Sequence, residues 1–111
     1  MSTDTEMDFS SASQVLAPYR EQLDQLNHTL VDLLAKRMEI CRGVARAKCA
    51  NNISMMQPQR VISTLDTMKL LAPSRQLRPE YLAQIFNVII KETCEEEQLV
   101  MNAILGSREE D

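Results

Sequence analysis

The sequence predicts an all-α fold of three helices, long, short and long, and three observations carry that prediction. The chain holds only two Gly, four Pro and 4% aromatic residues. Its commonest side chains, Leu, Ala, Glu and Gln with an unusual share of Met, lose little rotamer freedom in a helix, so composition and propensity agree. Apolar residues also recur at three- and four-residue spacing along two extended stretches, and brief segments carrying Pro or Asn separate them. With 111 residues the chain is one domain at most, able to bury about two-thirds of its unfolded surface.

Residues 1–12 are polar and acidic and are expected to form a flexible N-terminal arm. Ser10, Ser11 and Ser13 are available as caps for the helix that follows. A helical domain is expected over residues 13–106, with a flexible tail at 107–111. The first helix should run unbroken to about Cys49. Leu16, Tyr19, Leu23, Leu26, Leu30, Leu33, Cys41 and Val44 line one of its faces, and Gly43 is its single glycine. Some 36 helical residues span about 54 Å, whereas a compact chain of this length has a radius of gyration of roughly 13 Å. Such a stripe cannot be covered within its own subunit, so length and periodicity point to an obligate homodimer.

The segment CANNISMMQ ends the pattern, and Pro58 stands where the first turn of a second helix tolerates a missing N–H. That helix should reach about Leu71. APSRQLR forms a short connection, and Pro79 opens a third helix. Its stripe of Leu82, Ile85, Phe86, Ile89, Thr93, Val100 and Ile104 should stop near Gly106.

The net charge of −4, with no Lys/Arg run, lacks the footprint of a nucleic-acid-binding domain. No apolar stretch approaches the roughly 20 residues needed to cross a bilayer, and the acidic N-terminus does not resemble an export signal. A cytoplasmic protein without membrane or nucleic-acid partners is expected. Cys41, Cys49 and Cys94 form no CxxC pair and are read as reduced, mostly buried residues. With a lone histidine, they give no basis for a metal site, and neither metal nor cofactor is expected.

The informative anomaly is the set of charges that interrupts the apolar stripes. Arg37 and Lys48 continue the series Leu30, Leu33, Cys41, Val44, and their spacing leaves them about 20° apart around the helix. Thr93 and Glu97 lie four residues apart on the stripe of the third helix. Buried cations need partners, because each unpaired one costs several kcal/mol. Arg37 could pair with a glutamate from another helix, and Lys48 could snorkel to the helix end. Yet Arg20, Arg37, Lys48 and Arg60 all lie on or beside core-facing positions in an acidic chain, which favours a multiply charged anionic ligand.

The string YREQLDQLNHTLVDLLAKRMEICRGVARAK, the loop and PQR after it, and LRPEYLAQIFNVIIKET together resemble the all-helical chorismate mutases, from about Tyr19 to Met101. The resemblance implies that Arg20, Arg37, Lys48 and Arg60 bind substrate in an intertwined dimer, with Arg20 contributed by the opposite subunit. Seventeen residues separate Arg20 from Arg37, about 260° around the helix, in keeping with that division. It implies a rearrangement within one ring of atoms that needs no nucleophile, metal or proton relay. Two arginines hold the two carboxylates in the folded conformer, and Lys48 stabilises charge developing on the ether oxygen.

Three positions depart from the family's pattern. Gln57 and Val61 stand where acidic residues commonly contact the ring hydroxyl, and Glu97 stands where bacterial members usually carry glutamine. ISMMQPQRV and IIKETCEEEQLVM look most like the antibiotic-pathway branch that converts 4-amino-4-deoxychorismate to 4-amino-4-deoxyprephenate, towards p-aminophenylalanine. On that reading Gln57 accepts a hydrogen bond from the ring amine, and Val61 spares it a tight salt bridge. An ionised Glu97 would repel the ether oxygen, so Glu97 is expected to act protonated, favoured by burial and opposed by Lys48. The alternative is a solvated Glu95, Glu96, Glu97 run with Gln98 turned inward.

Conversion of chorismate to prephenate, and isochorismate pyruvate lyase chemistry, are the alternative activities. A helical module that only dimerises or regulates a partner enzyme would have no use for the four cations. His28 is expected at the surface, Arg75 and Arg78 as solvated loop charges, and Met55 and Met56 beside the pocket.

Overall fold

The computed structural model describes the backbone of residues 2–110 and the side chains of residues 11–107. The helices are α1 (Ser2–Ala50), α2 (Pro58–Leu71) and α3 (Pro79–Glu110), with a short 3-10 turn at Pro73–Arg75 between the last two. Among the described residues there is no strand, and the long, short, long order is the one the periodicity predicts. No helix is long and apolar enough to cross a membrane among those residues.

α1 starts earlier than expected. Residues 2–12 contain neither Gly nor Pro, so nothing in them halts a helix, and the α1 backbone includes positions assigned above to an arm. The side chains of residues 1–10 lie outside the described residues. Pro18, which the reading of an unbroken stripe passes over, sits inside α1. It removes one amide donor and crowds the carbonyl of Gln14, a cost of about 3 kcal/mol that the neighbouring turns must offset. At the other end α3 continues through Gly106 to Glu110. Gly106 does not adopt the left-handed conformation that would end the helix there.

Two compact units divide the chain, Met1–Arg37 and Met38–Asp111. In the first, every residue from 11 to 36 is exposed, including the apolar stripe. In the second, α2 packs against α3 and the last turns of α1 also meet α3. Ala45 and Ala72 are fully buried there and Cys49 nearly so, whereas Cys41 and Cys94 are half-buried.

The inward face at the end of α1 runs through Met38, Cys41, Ala45, Lys48 and Cys49. Val44, placed in the stripe by its spacing, is 40% exposed while Ala45 is 0% exposed. The face is therefore centred one residue later, where a methyl side chain permits close approach. On α3 the expected stripe is observed in full. Leu82, Ile85, Phe86, Ile89, Val100 and Ile104 are half-buried, Thr93 is buried, and Glu97 joins them.

Both short connections use a left-handed residue to close the preceding helix. After α1, Asn52 has φ 54° and the Ile53 N–H donates to the Lys48 carbonyl at 2.9 Å. After the 3-10 turn, Gln76 has φ 58° and the Leu77 N–H donates to the Ala72 carbonyl at 3.1 Å, whereas α2 itself ends on Ala72 in the right-handed conformation. Each is the long-range bond of a Schellman-type ending, which satisfies carbonyls that the helix leaves without partners. Arg75, read above as a solvated charge, is exposed yet donates to the Leu71 carbonyl at 3.0 Å and the Ser74 hydroxyl at 3.1 Å. Arg78 and His28 are exposed.

Candidate active site

Lys48 is the best-defined of the expected site residues. The Schellman bond to its carbonyl fixes its main chain in the last turn of α1. Its Nζ donates to the Met55 carbonyl at 2.9 Å and to Glu97 Oε1 at 3.0 Å. The two side chains of this ion pair are only 14% and 9% exposed, so little water screens them. An ammonium has three N–H donors, and these contacts use two. The third is the donor the lysine can offer a ligand oxygen.

Glu97 comes to this position because α3 presents residues 93 and 97 on one face, a turn apart. Thr93 is 6% exposed, and its hydroxyl donates to the Ile89 carbonyl at 2.8 Å. Gln98 is exposed and donates to Asn102 Oδ1 at 2.8 Å, which overturns the alternative in which Gln98 turned inward. The neighbouring Glu96 instead pairs with Arg42 at 2.8 Å, their side chains 25% and 45% exposed. Exposed pairs of this kind contribute about 0–1 kcal/mol. The two successive glutamates thus differ in kind: one supports the surface, the other meets a buried cation.

Gln57 occupies the N-cap position of α2 without capping it. Its amide nitrogen turns back and donates to the Ser54 carbonyl at 3.0 Å. Pro58 opens the helix and its first turn carries no acidic residue. Val61 is half-buried and Arg60 exposed. In the first unit, Arg37 is half-buried and Arg20 exposed. Of the four cations placed on or beside core-facing positions, Arg20 and Arg60 are therefore open to solvent in the single chain.

The site also contains groups that residue-by-residue reading misses. The carbonyls of Ser54 and Met55 are backbone acceptors and carry no residue signature. Asn52, a residue tolerant of left-handed backbone just beyond a helix, was the available sign that the loop folds back. Among the described residues no buried side-chain nitrogen or oxygen is left without any hydrogen-bond partner.

An all-helical protein that holds an ammonium and a carboxylate together inside, with one N–H to spare, is suited to binding and polarising an anionic ligand. Residues 19–98 match the family described as chorismate mutase type II. The chain belongs to this family and is an isomerase of the chorismate mutase type.

Among its relatives, a 4-amino-4-deoxychorismate mutase of Streptomyces venezuelae is 36% identical over 83 residues, covering 75% of this chain and 81% of that protein. Another 4-amino-4-deoxychorismate mutase, from Streptomyces pristinaespiralis, is 28% identical over 85 residues, 77% of this chain and 66% of that one. A bifunctional chorismate mutase/prephenate dehydratase of Buchnera aphidicola is 28% identical over 82 residues, and the match spans 21% of its length.

Proposed function

We propose that the protein rearranges 4-amino-4-deoxychorismate to 4-amino-4-deoxyprephenate, within biosynthesis of p-aminophenylalanine-derived antibiotics. The observation that carries the mechanism is the buried Lys48–Glu97 pair with its spare N–H. The substrate assignment rests on the two Streptomyces relatives and on Gln57 and Val61, which depart from the acidic pattern.

In this reaction the ether C–O bond breaks as a C–C bond forms, with six electrons moving round one ring and no net proton or redox change. The protein must hold the folded conformer and stabilise charge on the ether oxygen. Arg20, Arg37 and Arg60 bind the carboxylates, Arg20 across the subunit boundary of a homodimer, as the family resemblance implies. Lys48 turns its third N–H to the ether oxygen. Thr93 lies a turn from Glu97 and lines the same face, and Val61 borders the ring.

Glu97 holds Lys48 through Oε1 and so fixes where the ammonium meets the ether oxygen. Glu97→Ala should accordingly lower kcat by about tenfold or more, and an unchanged kcat overturns this role.

The stripe of the first unit supports the homodimer. Leu16, Tyr19, Leu23, Leu26, Leu30 and Leu33 are between 41% and 64% exposed in the single chain. Among the described residues, no large side chain is fully buried.

Purified protein incubated with 4-amino-4-deoxychorismate, chorismate and isochorismate, with products separated by chromatography, tests the function. Preference for the amino compound is expected. Preference for chorismate would make the protein an ordinary chorismate mutase, and pyruvate release from isochorismate would make it a lyase. If none reacts and none raises the melting temperature, the enzyme reading fails, because a ligand specific to the native state must stabilise it.

A further inference from the structure

Two ion pairs join the end of α1 to neighbouring residues of α3. Arg42 Nε donates to Glu96 Oε1 at 2.8 Å, and Lys48 Nζ donates to Glu97 Oε1 at 3.0 Å. On α3 the two glutamates are about 100° apart around the axis and only about 1.5 Å apart along it. On α1 the two cations are separated by about 9 Å along the axis and about 120° around it. Ala45 lies midway between them and is fully buried. The pairs therefore grip α3 across its width, one on either side of Ala45.

The side chains of Lys48 and Glu97 are nearly out of solvent, whereas those of Arg42 and Glu96 are not. An exposed pair contributes little to stability, so its consequence here is geometric. The Ala45 methyl lets helices approach closely but offers nothing to stop one rolling on the other. A roll of α3 by about 10° would carry a carboxylate some 5–6 Å from its axis through about 1 Å. At Glu97 that shift passes to the Lys48 ammonium, and a misplacement of about 1 Å can cost about a hundredfold in rate. Glu96 opposes the roll from the adjacent residue. Its bond is to Nε, the guanidinium nitrogen nearest the backbone, which leaves the arginine less slack than a bond through its far end.

We propose that Arg42 and Glu96 are positioning residues of the isomerase: their ion pair fixes the rotation of α3 about its axis and so sets where Glu97 holds Lys48. Both act through Glu97 and not on the substrate. This rests on the role given to Lys48 above.

The test measures kcat, KM and melting temperature for wild type, Arg42→Ala, Glu96→Ala, the double variant and Arg42→Lys. The substrate is whichever of 4-amino-4-deoxychorismate, chorismate and isochorismate the wild type turns over fastest. Each alanine variant should lower kcat at least about fivefold, with KM within about twofold and the melting temperature within about two degrees of wild type. The two replacements change the net charge in opposite directions, so a shared fall in kcat cannot come from the field at an anionic substrate. The double variant should be no slower than the worse single one, because both remove the same bond. Arg42→Lys, which keeps a cationic donor of similar reach, should recover most of the rate.

Lys48→Met, measured alongside, separates the two ways to fail. If wild type turns over none of the substrates, or Lys48→Met keeps full kcat, the role given to Lys48 has failed and the proposal falls with it. If wild type is active and Lys48→Met is not, a kcat for Arg42→Ala within about twofold of wild type overturns the positioning role alone. Losses that multiply in the double variant, or a fall confined to KM, overturn it as well. So does a fall in kcat that tracks a large fall in melting temperature, since the pair would then serve only to hold the helices together.

Discussion

The two units of the chain bury their apolar residues to very different degrees. From Met38 onward, α2 and the last turns of α1 meet α3, and Ala45, Ala72, Thr93 and Glu97 leave solvent. Before that boundary, an apolar residue, mostly leucine, recurs every three or four positions from Leu16 to Leu33, and every residue from 11 to 36 is exposed. Helix propensity is ample in both, so the difference lies in packing. An amphipathic helix takes most of its stability from tertiary contact. The second unit contains a polar centre supported by its own helices, whereas the first presents a face suited to another helix.

The sharpest way to break this comparison is to place charge on the exposed stripe. Leu23→Asp with Leu30→Asp leaves the packed helices untouched. If a second copy covers the stripe, each leucine contributes about 1.5–3 kcal/mol, counted twice in a symmetric dimer. That sum, before the cost of burying the aspartates, rivals the whole stability of a small domain. Sedimentation should show a wild-type dimer at micromolar concentration, and circular dichroism should show the variant largely unfolded. A wild type that sediments as a stable monomer would refute the homodimer.

Within the second unit the largest effect should come from Lys48→Met. Loss of one donor aimed at a developing charge costs about 3 kcal/mol, some hundredfold in kcat. The melting temperature should fall too, because Glu97 is left buried and unpaired. Adding Glu97→Leu should restore much of the melting temperature and none of the activity. Recovery of both together would mean that the pair serves stability alone.

The two long helices were legible from their period and the short one from the Pro that opens it, and Lys48 and Glu97 were legible because charge on an apolar stripe is rare enough to notice. Other features were hidden for identifiable reasons. The rotation of the α1 face from Val44 to Ala45 depends on how closely helices approach, which spacing does not encode. Periodicity ignores backbone donors, so Pro18 left no mark on it. The Ser54 and Met55 carbonyls belong to the backbone, and no residue type announces where a loop will turn them. Arg60 and Arg20 fit the anionic-site pattern in sequence yet are exposed in one chain, because a pattern of positions does not encode burial.

The loop gives a smaller, more selective prediction. Asn52 holds φ 54°, a conformation Asn and Gly accept and β-branched residues resist. Asn52→Val should cost about 1–2 kcal/mol of stability and lower kcat further than Asn52→Gly, since the strained turn sets where the Met55 carbonyl lies. Equal kcat in the two variants would separate the turn from the placement of Lys48.

The smallest effect tests where the partner face ends. Gly43 lies in the interior of α1, five residues past the boundary between the units, and it is half-buried. A Cβ there would meet only the end of the Arg46 side chain at 3.7 Å, an ordinary contact with a flexible group. Replacing a helical glycine with alanine removes backbone freedom from the unfolded chain, and at an unobstructed site it stabilises by about 0.5–1 kcal/mol. Gly43→Ala should therefore raise the melting temperature by a few degrees. This holds only if nothing outside the chain occupies the space beside Gly43. A fall instead would mean that a second copy packs against the α1 backbone there, carrying the dimer face past Arg37 into the unit that holds Lys48.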